Sequence, residues 1–168
     1  MTSTNKISQI AIVMGSDSDL PTMQSCIDQL KDFGIDPIVR VISAHRTPDV
    51  AADFAGNAAK NGIKVIIAAA GMAAHLAGAM AAKSHLPIIG VPMAASTGPN
   101  GMDALLSTVQ MPPGVPVATV AIGKAGAKNA AILAVQMLGI GDKDMEAKII
   151  AFREEQSKMV IEKDAKLQ

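Results

Sequence analysis

A histidine beside an arginine in a short loop is the arrangement in this chain best suited to chemistry. His45 and Arg46 stand within Ser43-Ala44-His45-Arg46-Thr47-Pro48. An imidazole changes charge near neutral pH, so it can give and take a proton. A guanidinium is a permanent cation whose planar fork bonds phosphate oxygens in pairs. The pair suits a substrate with an anionic handle and a proton to move. Two more stretches offer related groups. Gly15-Ser16-Asp17-Ser18-Asp19 brings two hydroxyls and two carboxylates, and Gly71-Met72-Ala73-Ala74-His75 ends in a second histidine. Gly15 lets the backbone come close to a ligand, and Ser16, Ser18 and a following helix N-terminus can donate to a phosphate. Asp17 and Asp19 would repel a phosphate; they make better sense as acceptors from sugar hydroxyls. Each stretch also has a plainer reading: a solvated loop with an incidental histidine, an N-capping turn, and a histidine that caps its own helix.

Other chemistries fit less well. The first stretch lacks Gly-x-Gly-x-x-Gly spacing, and no Gly-Lys-Ser/Thr follows it, so it is neither a dinucleotide fingerprint nor a Walker A loop. Three histidines without acidic or cysteine partners at ligand spacing argue against a zinc centre. No serine has a nucleophile-elbow context. His85 reads as a helix-end residue. The single Cys26 rules out an internal disulfide and falls on the apolar face of an expected helix, where a packed thiol is the natural reading.

Composition narrows the class further. The chain has 168 residues, enough for one domain with a proper core. Lys plus Arg and Asp plus Glu both number 15, so the formal charge is zero, which argues against a nucleic-acid or anionic-membrane surface. Aromatic content is 2%, with no Trp or Tyr, so any heterocycle must be held by aliphatic walls and backbone groups. The 49% hydrophobic content suits either buried subunit interfaces or simply an Ala- and Met-rich core. Residues Met1 to Ser8 do not read as a secretory signal, and no apolar run reaches the ~20 residues of a spanning helix. A soluble cytoplasmic protein is the expectation.

The elements that must hold these loops alternate along the chain. Apolar runs predict strands at Gln9–Met14, Pro37–Ile42, Lys64–Ala70, Leu86–Val91 (closed by Pro92) and Val115–Ile122. The first two read as buried strands. Helical periods predict helices from Leu20 to Phe33 (Leu20, Met23, Ile27, Leu30 and Phe33 on one face, Gly34 stopping it, Ser18 or Asp19 at its N-cap), from Asp49 to Asn61 (Val50, Phe54 and Ala58 on one side), from His75 to about Ser84, from Asp103 to Val109 and from Ala125 to Leu138. Five alternations with short connections give one α/β domain with a parallel sheet and helices on both faces. The loops after strands one, two and three then share one edge, where ligands bind in such sheets. A final charged helix, about 142–166, carries an apolar stripe of Met145, Ile149, Phe152 and Met159. It either packs on its own domain or, as its length favours, reaches a neighbouring subunit.

Four motifs carry a family resemblance. Met14-Gly15-Ser16-Asp17-Ser18-Asp19, Ser43-Ala44-His45-Arg46-Thr47-Pro48, Ala70-Gly71-Met72-Ala73-Ala74-His75-Leu76 and Leu105-Leu106-Ser107-Thr108-Val109-Gln110-Met111-Pro112 together resemble the class I N5-carboxyaminoimidazole ribonucleotide mutases of bacterial purine biosynthesis. The likeness covers roughly Ile10 to Leu138. It implies a flavodoxin-like three-layer sandwich around the five-stranded sheet, an extra C-terminal helix, and a homo-octamer with active sites at subunit interfaces. It implies a reaction that moves a carboxylate from an exocyclic nitrogen to carbon 4 of an aminoimidazole, without metal, nucleotide or biotin. On the family pattern His45 carries the proton and Ser16, Asp19 and Arg46 bind the ribonucleotide. Ser18, Ser43, Gly71 and His75 line the pocket, and Gly15, Ala44, Met72 and Ala73 complete the substrate-binding set. Ala77 stands where the family has proline, Leu20 where Trp is common, and the loop Ala94–Gly101 is one residue longer, so no contact is carried over from that loop. The nearest rival is the class II carboxylase that uses free CO2; a non-enzymatic flavodoxin-like binding module is another.

Overall fold

The computed structural model describes residues 8–95 and 98–168. The first seven residues, which include most of the stretch expected not to be a signal, and Ser96 and Thr97 of the longer loop lie outside the described residues. The elements run β1 (Ile10–Met14), α1 (Leu20–Asp32), β2 (Ile38–Val41), α2 (Pro48–Asn57), β3 (Val65–Gly71), α3 (Leu76–Ala81), β4 (Ile88–Met93), α4 (Met102–Val109), β5 (Ala118–Thr119), α5 (Gly123–Gly139) and α6 (Lys143–Ala165). All five strands pair in parallel in the order β2-β1-β3-β4-β5. That is the flavodoxin-like order, with its switch point between β1 and β3.

The sheet is buried on both faces, so its central strands read as unbroken apolar runs. Ile10, Ile12 and Met14 join the core under α1, α5 and the start of α6. Ala11 and Val13, pointing the other way by the two-residue period, join the core under α2 and α3. α4 covers the far end of the second face. Gly90 has no side chain because Thr108 of α4 sits where a Cβ would be.

Several expectations need correction. β2 is not buried. It is an edge strand, and Val41 is 54% exposed; only the following Ile42 turns inward. α2 buries Ala51, Ala55 and Ala58, whereas Val50 is exposed and Phe54 half-buried. Small alanines let the helix lie close, and the larger side chains sit at its flanks. Leu20 is likewise exposed. Pro92 does not end β4 but lies inside it. Gly90 accepts from Val120 on the β5 side, and Pro92, two residues on, faces the same way. β5 has ended by then, so the missing N–H costs no ladder bond. β5 itself is only two residues long, not eight. The α6 stripe packs on its own domain: Met145 is buried and Phe152 meets Phe33 edge-on at 5.3 Å. Lys148 Nζ donates to the Phe33 carbonyl at 2.6 Å, satisfying the end of α1. Met159 is exposed.

α5 reaches the sheet only because Gly126, near its start, lies against the Ala121 backbone, where an added Cβ would overlap the Ala121 carbonyl. Backbone cannot yield as a flexible side chain can. Gly126→Ala is expected to destabilise the fold by roughly 3 kcal/mol or more, the upper part of the overpacking range, despite the better helix propensity of alanine. Chemical denaturation of the variant against the parent checks this.

Candidate active site

Met14 lies opposite Val41 on one side and Ala69 on the other. Strands β1 and β2 therefore end level, β3 runs two residues further to Gly71 beside β4, and all three loops leave the sheet at its carboxyl edge. Together with the start of the loop after β4 they enclose a cleft of about 810 Å³. The first loop contributes Gly15, Ser16, Ser18 and Asp19, the second Ser43, Ala44, His45 and Arg46, and the third Gly71, Met72, Ala73 and His75. Every site residue expected from the sequence thus lies on one cleft. Ala70, Leu76, Met93, Ala94 and Ala95 also line it. Met93 ends β4, and Ala94 and Ala95 begin the fourth loop, from which the sequence predicts no contact. The signal was present, since a fourth parallel strand must end at the same edge.

Local bonds shape each loop. In the first, Ser16 caps a single 3₁₀ turn, Asp17–Asp19, by accepting from the Ser18 N–H at 3.3 Å. The Ser18 hydroxyl donates to Ser16 Oγ at 2.8 Å. Asp19 stands at the N-cap of α1 but makes no side-chain cap bond. In the second loop, the Thr47 hydroxyl donates to the Ser43 carbonyl at 2.9 Å and accepts from the Ser43 N–H at 3.0 Å. This closes the turn that carries His45 and Arg46. Arg46 then ties the two loops together, with Nη2 donating to the Gly15 carbonyl at 3.0 Å. In the third loop, Met72 adopts φ 56°, left-handed backbone that a side chain rarely takes. Its side chain is 64% exposed. Gly71 is close to Met93: an added Cβ would stand 3.2 Å from its carbonyl oxygen. His75 does not cap its helix. Instead its Nδ1 lies 2.8 Å from His45 Nε2.

Burial pushes the Asp19 carboxyl above its ordinary range; the Ser16 backbone opposes the shift and the neighbouring Asp17 charge adds to it. Burial also pushes the Cys26 thiol up to about 12, so it stays an inert packed group. Among the described residues no three His, Cys, Asp or Glu side chains are placed to hold a metal ion, and no helix is long and apolar enough to cross a membrane.

Fold and cleft define a flavodoxin-like α/β protein with a small-molecule site at the carboxyl edge of its sheet. The family model described as AIR carboxylase matches residues 9–159. The N5-carboxyaminoimidazole ribonucleotide mutase of Vibrio parahaemolyticus is 54% identical over 153 residues, 91% of this chain and 94% of that one. The protein of the same name from Thermotoga maritima is 51% identical over 160 residues, covering 95% and 92%. That from Mycobacterium tuberculosis is 49% identical over 168 residues, covering 100% and 95%. The crystal structure of Treponema denticola PurE matches with a TM-score of 0.85 at 28% identity, over 95% of this chain and 98% of that one. The chain belongs to the AIR carboxylase family.

The Asp19 shift carries a stability consequence. A carboxyl whose folded pKa is raised costs stability when ionised. The cost is fully present above the folded pKa and disappears below the unfolded one. Asp19→Asn should therefore melt at or above the wild-type temperature at pH 7. The advantage should shrink as pH falls through the carboxylate range. Thermal melts at neutral and acidic pH test the sign.

Proposed function

We propose that the chain converts N5-carboxyaminoimidazole ribonucleotide to 4-carboxy-5-aminoimidazole ribonucleotide in purine biosynthesis. The observation that carries this reading is the convergence of His45, Arg46 and the β1-loop hydroxyls on one cleft, in a chain that shares half its residues with proteins of that name. Arg46, with Ser16 and Ser18, binds the phosphate, and Asp19 accepts from ribose hydroxyls. An ionisable group left without a cap bond, at a cost in stability, suits a residue kept for its ligand. Gly15, Ser43 and Gly71 let the ligand approach the backbone.

The chemistry needs one proton moved twice. Loss of CO2 from the carbamate requires a proton on the exocyclic nitrogen. Attack of carbon 4 on that CO2 requires a proton off the ring. His45 serves as acid and then as base. The CO2 must not escape between the steps. Ala44, Met72, Ala73 and Met93 give the cleft apolar walls that hold it beside the ring. The reaction runs in the cytoplasm without metal, nucleotide or biotin.

A homo-octamer completes the reading. From Arg153 to the C-terminus every residue of α6 and beyond is exposed, with Val160 at 65% and Ile161 at 64%. At 1.5 Å per residue about 20 Å of helix extends past Phe152. Met159, Val160 and Ile161 stand exposed among the charged residues of this overhang and give it an apolar patch for a neighbouring copy. Light scattering should give about eight times the 17.2 kDa chain mass; a stable monomer would refute the assembly.

The decisive assay supplies each ribonucleotide with a chelator present and no nucleotide added. Wild type should convert the N5-carboxy compound without bicarbonate. Carboxylation of the uncarboxylated ribonucleotide only, with bicarbonate supplied, would instead mean the class II reaction. His45→Asn should keep the fold and ligand binding but lose at least ~10²–10⁴ in turnover, since Asn hydrogen-bonds yet cannot shuttle a proton. Near-normal turnover would remove His45 from the mechanism.

A further inference from the structure

The contact between the two histidines goes beyond a shared pocket wall. His45 Nε2 and His75 Nδ1 are 2.8 Å apart, with ring centroids 4.9 Å apart and planes at 80°. An edge-on pair at that distance is a hydrogen bond, not a stack. We propose that His75 is a positioning residue: it holds the His45 ring in one orientation and one protonation pattern, and leaves Nδ1 of His45 as the nitrogen that serves the substrate. The inference rests on the mutase reading, but its first test does not.

The argument is one of proton counting. Two facing ring nitrogens bond only when one carries a proton and the other does not. If both carried one, two N–H groups would meet; if neither did, two lone pairs would. The contact therefore admits a single proton between the rings. Nε2 of His45 is occupied by this bond, so Nδ1 alone remains for chemistry. The bond also joins loops 30 residues apart in sequence, one following β2 and one following β3. The other charged groups lining the cleft are Asp19 and Arg46. Neither makes a hydrogen bond to either imidazole; Arg46 is turned to Gly15 and Ser43. The orientation of the His45 ring is thus set by His75.

The proton balance of the mutase reaction agrees. In the first step the nitrogen–carboxylate bond breaks, its electron pair stays on nitrogen, and the Nδ1 proton of His45 goes to that nitrogen. In the second step carbon 4 bonds to the CO2, and its proton returns to Nδ1. A ring that rotated between the steps would present a different nitrogen to carbon 4. The bond to His75 prevents that rotation.

Ring-nitrogen NMR of the ligand-free wild-type protein tests the pairing without any substrate. One of the two facing nitrogens should read as protonated and the other as unprotonated, and His75→Phe should change the ring pattern of His45. Two facing nitrogens in the same state in wild type, or an unchanged His45 in His75→Phe, overturns the proposal. Kinetics supply the second test. His75→Phe should lower kcat by at least ~10-fold, short of the ~10²–10⁴ of losing acid–base catalysis outright. KM should stay within about twofold, and the kcat–pH profile should shift. His75→Asn places an amide atom where Nδ1 stands and should restore most of the loss. A change in KM alone, or Asn no better than Phe, also overturns it. If the wild type proves to have no mutase activity, the mutase reading falls, and the NMR result alone decides the pairing.

Discussion

The site depends on a register. Met14 sits level with Val41 and Ala69, and the ladder continues one step past the strands, with Gly15 N–H donating to the Ala69 carbonyl and Ile42 N–H to the Met14 carbonyl. A slip of one residue would turn every side chain of β1 to the opposite face. It would also break the alignment of the three loops. The slip is prevented by burial, because Ile10, Ile12 and Met14 fill one core and Ala11 and Val13 the other. Larger residues on one side and smaller ones on the other fit helices at different distances. The placing of His45 in the cleft thus begins with the packing of a buried strand.

Much of this was legible along the chain, and the exceptions have physical causes. β1 and β3 stood out because strands buried on both faces must be apolar throughout. The start of α1 and its stop at Gly34 followed from local chemistry, and Gly34 indeed has φ 78°. The errors came where tertiary context outweighs pattern. β2 is apolar apart from Arg40, and its place at the sheet edge leaves it open. Arg40, midway along it, was the signal of an open edge that its apolar neighbours masked. The alanines of α2 look less like a core face than its valine and phenylalanine, but the helix lies where only alanine fits. The first half of α6 is pulled back onto its own domain by Met145, Phe152 and the Lys148 bond, contacts between residues more than a hundred positions apart.

The convergence on one cleft was legible because each loop carries its polar groups in adjacent residues and the parallel topology brings the loops to one edge. What stayed hidden was orientation. Nothing in the sequence says that Arg46 reaches back to the Gly15 carbonyl, or that His75 meets His45 instead of capping α3. Both are contacts across the edge of the sheet, fixed by the height at which neighbouring strands end. The fourth loop gave no contact in advance because its length departs from the family pattern and Ala94 and Ala95 bear no reactive group, yet both line the cleft.

Departures from local preference gather around this cleft. Met72 holds a backbone conformation that ordinarily belongs to glycine, and Asp19 carries a carboxyl that its surroundings disfavour when ionised. Each raises the free energy of the folded chain, and strain of this kind persists only where the surroundings over-determine it. Here the surroundings do, through a sheet buried on both faces and helices closed onto it by Gly90 and Gly126. A rigid scaffold of small and apolar residues can hold a few strained, polar groups in register. The same groups on a looser sheet would relax into capping turns and solvated loops, the plainer readings their sequences also allow. The difference between a loop with a histidine and a site with one lies in that rigidity.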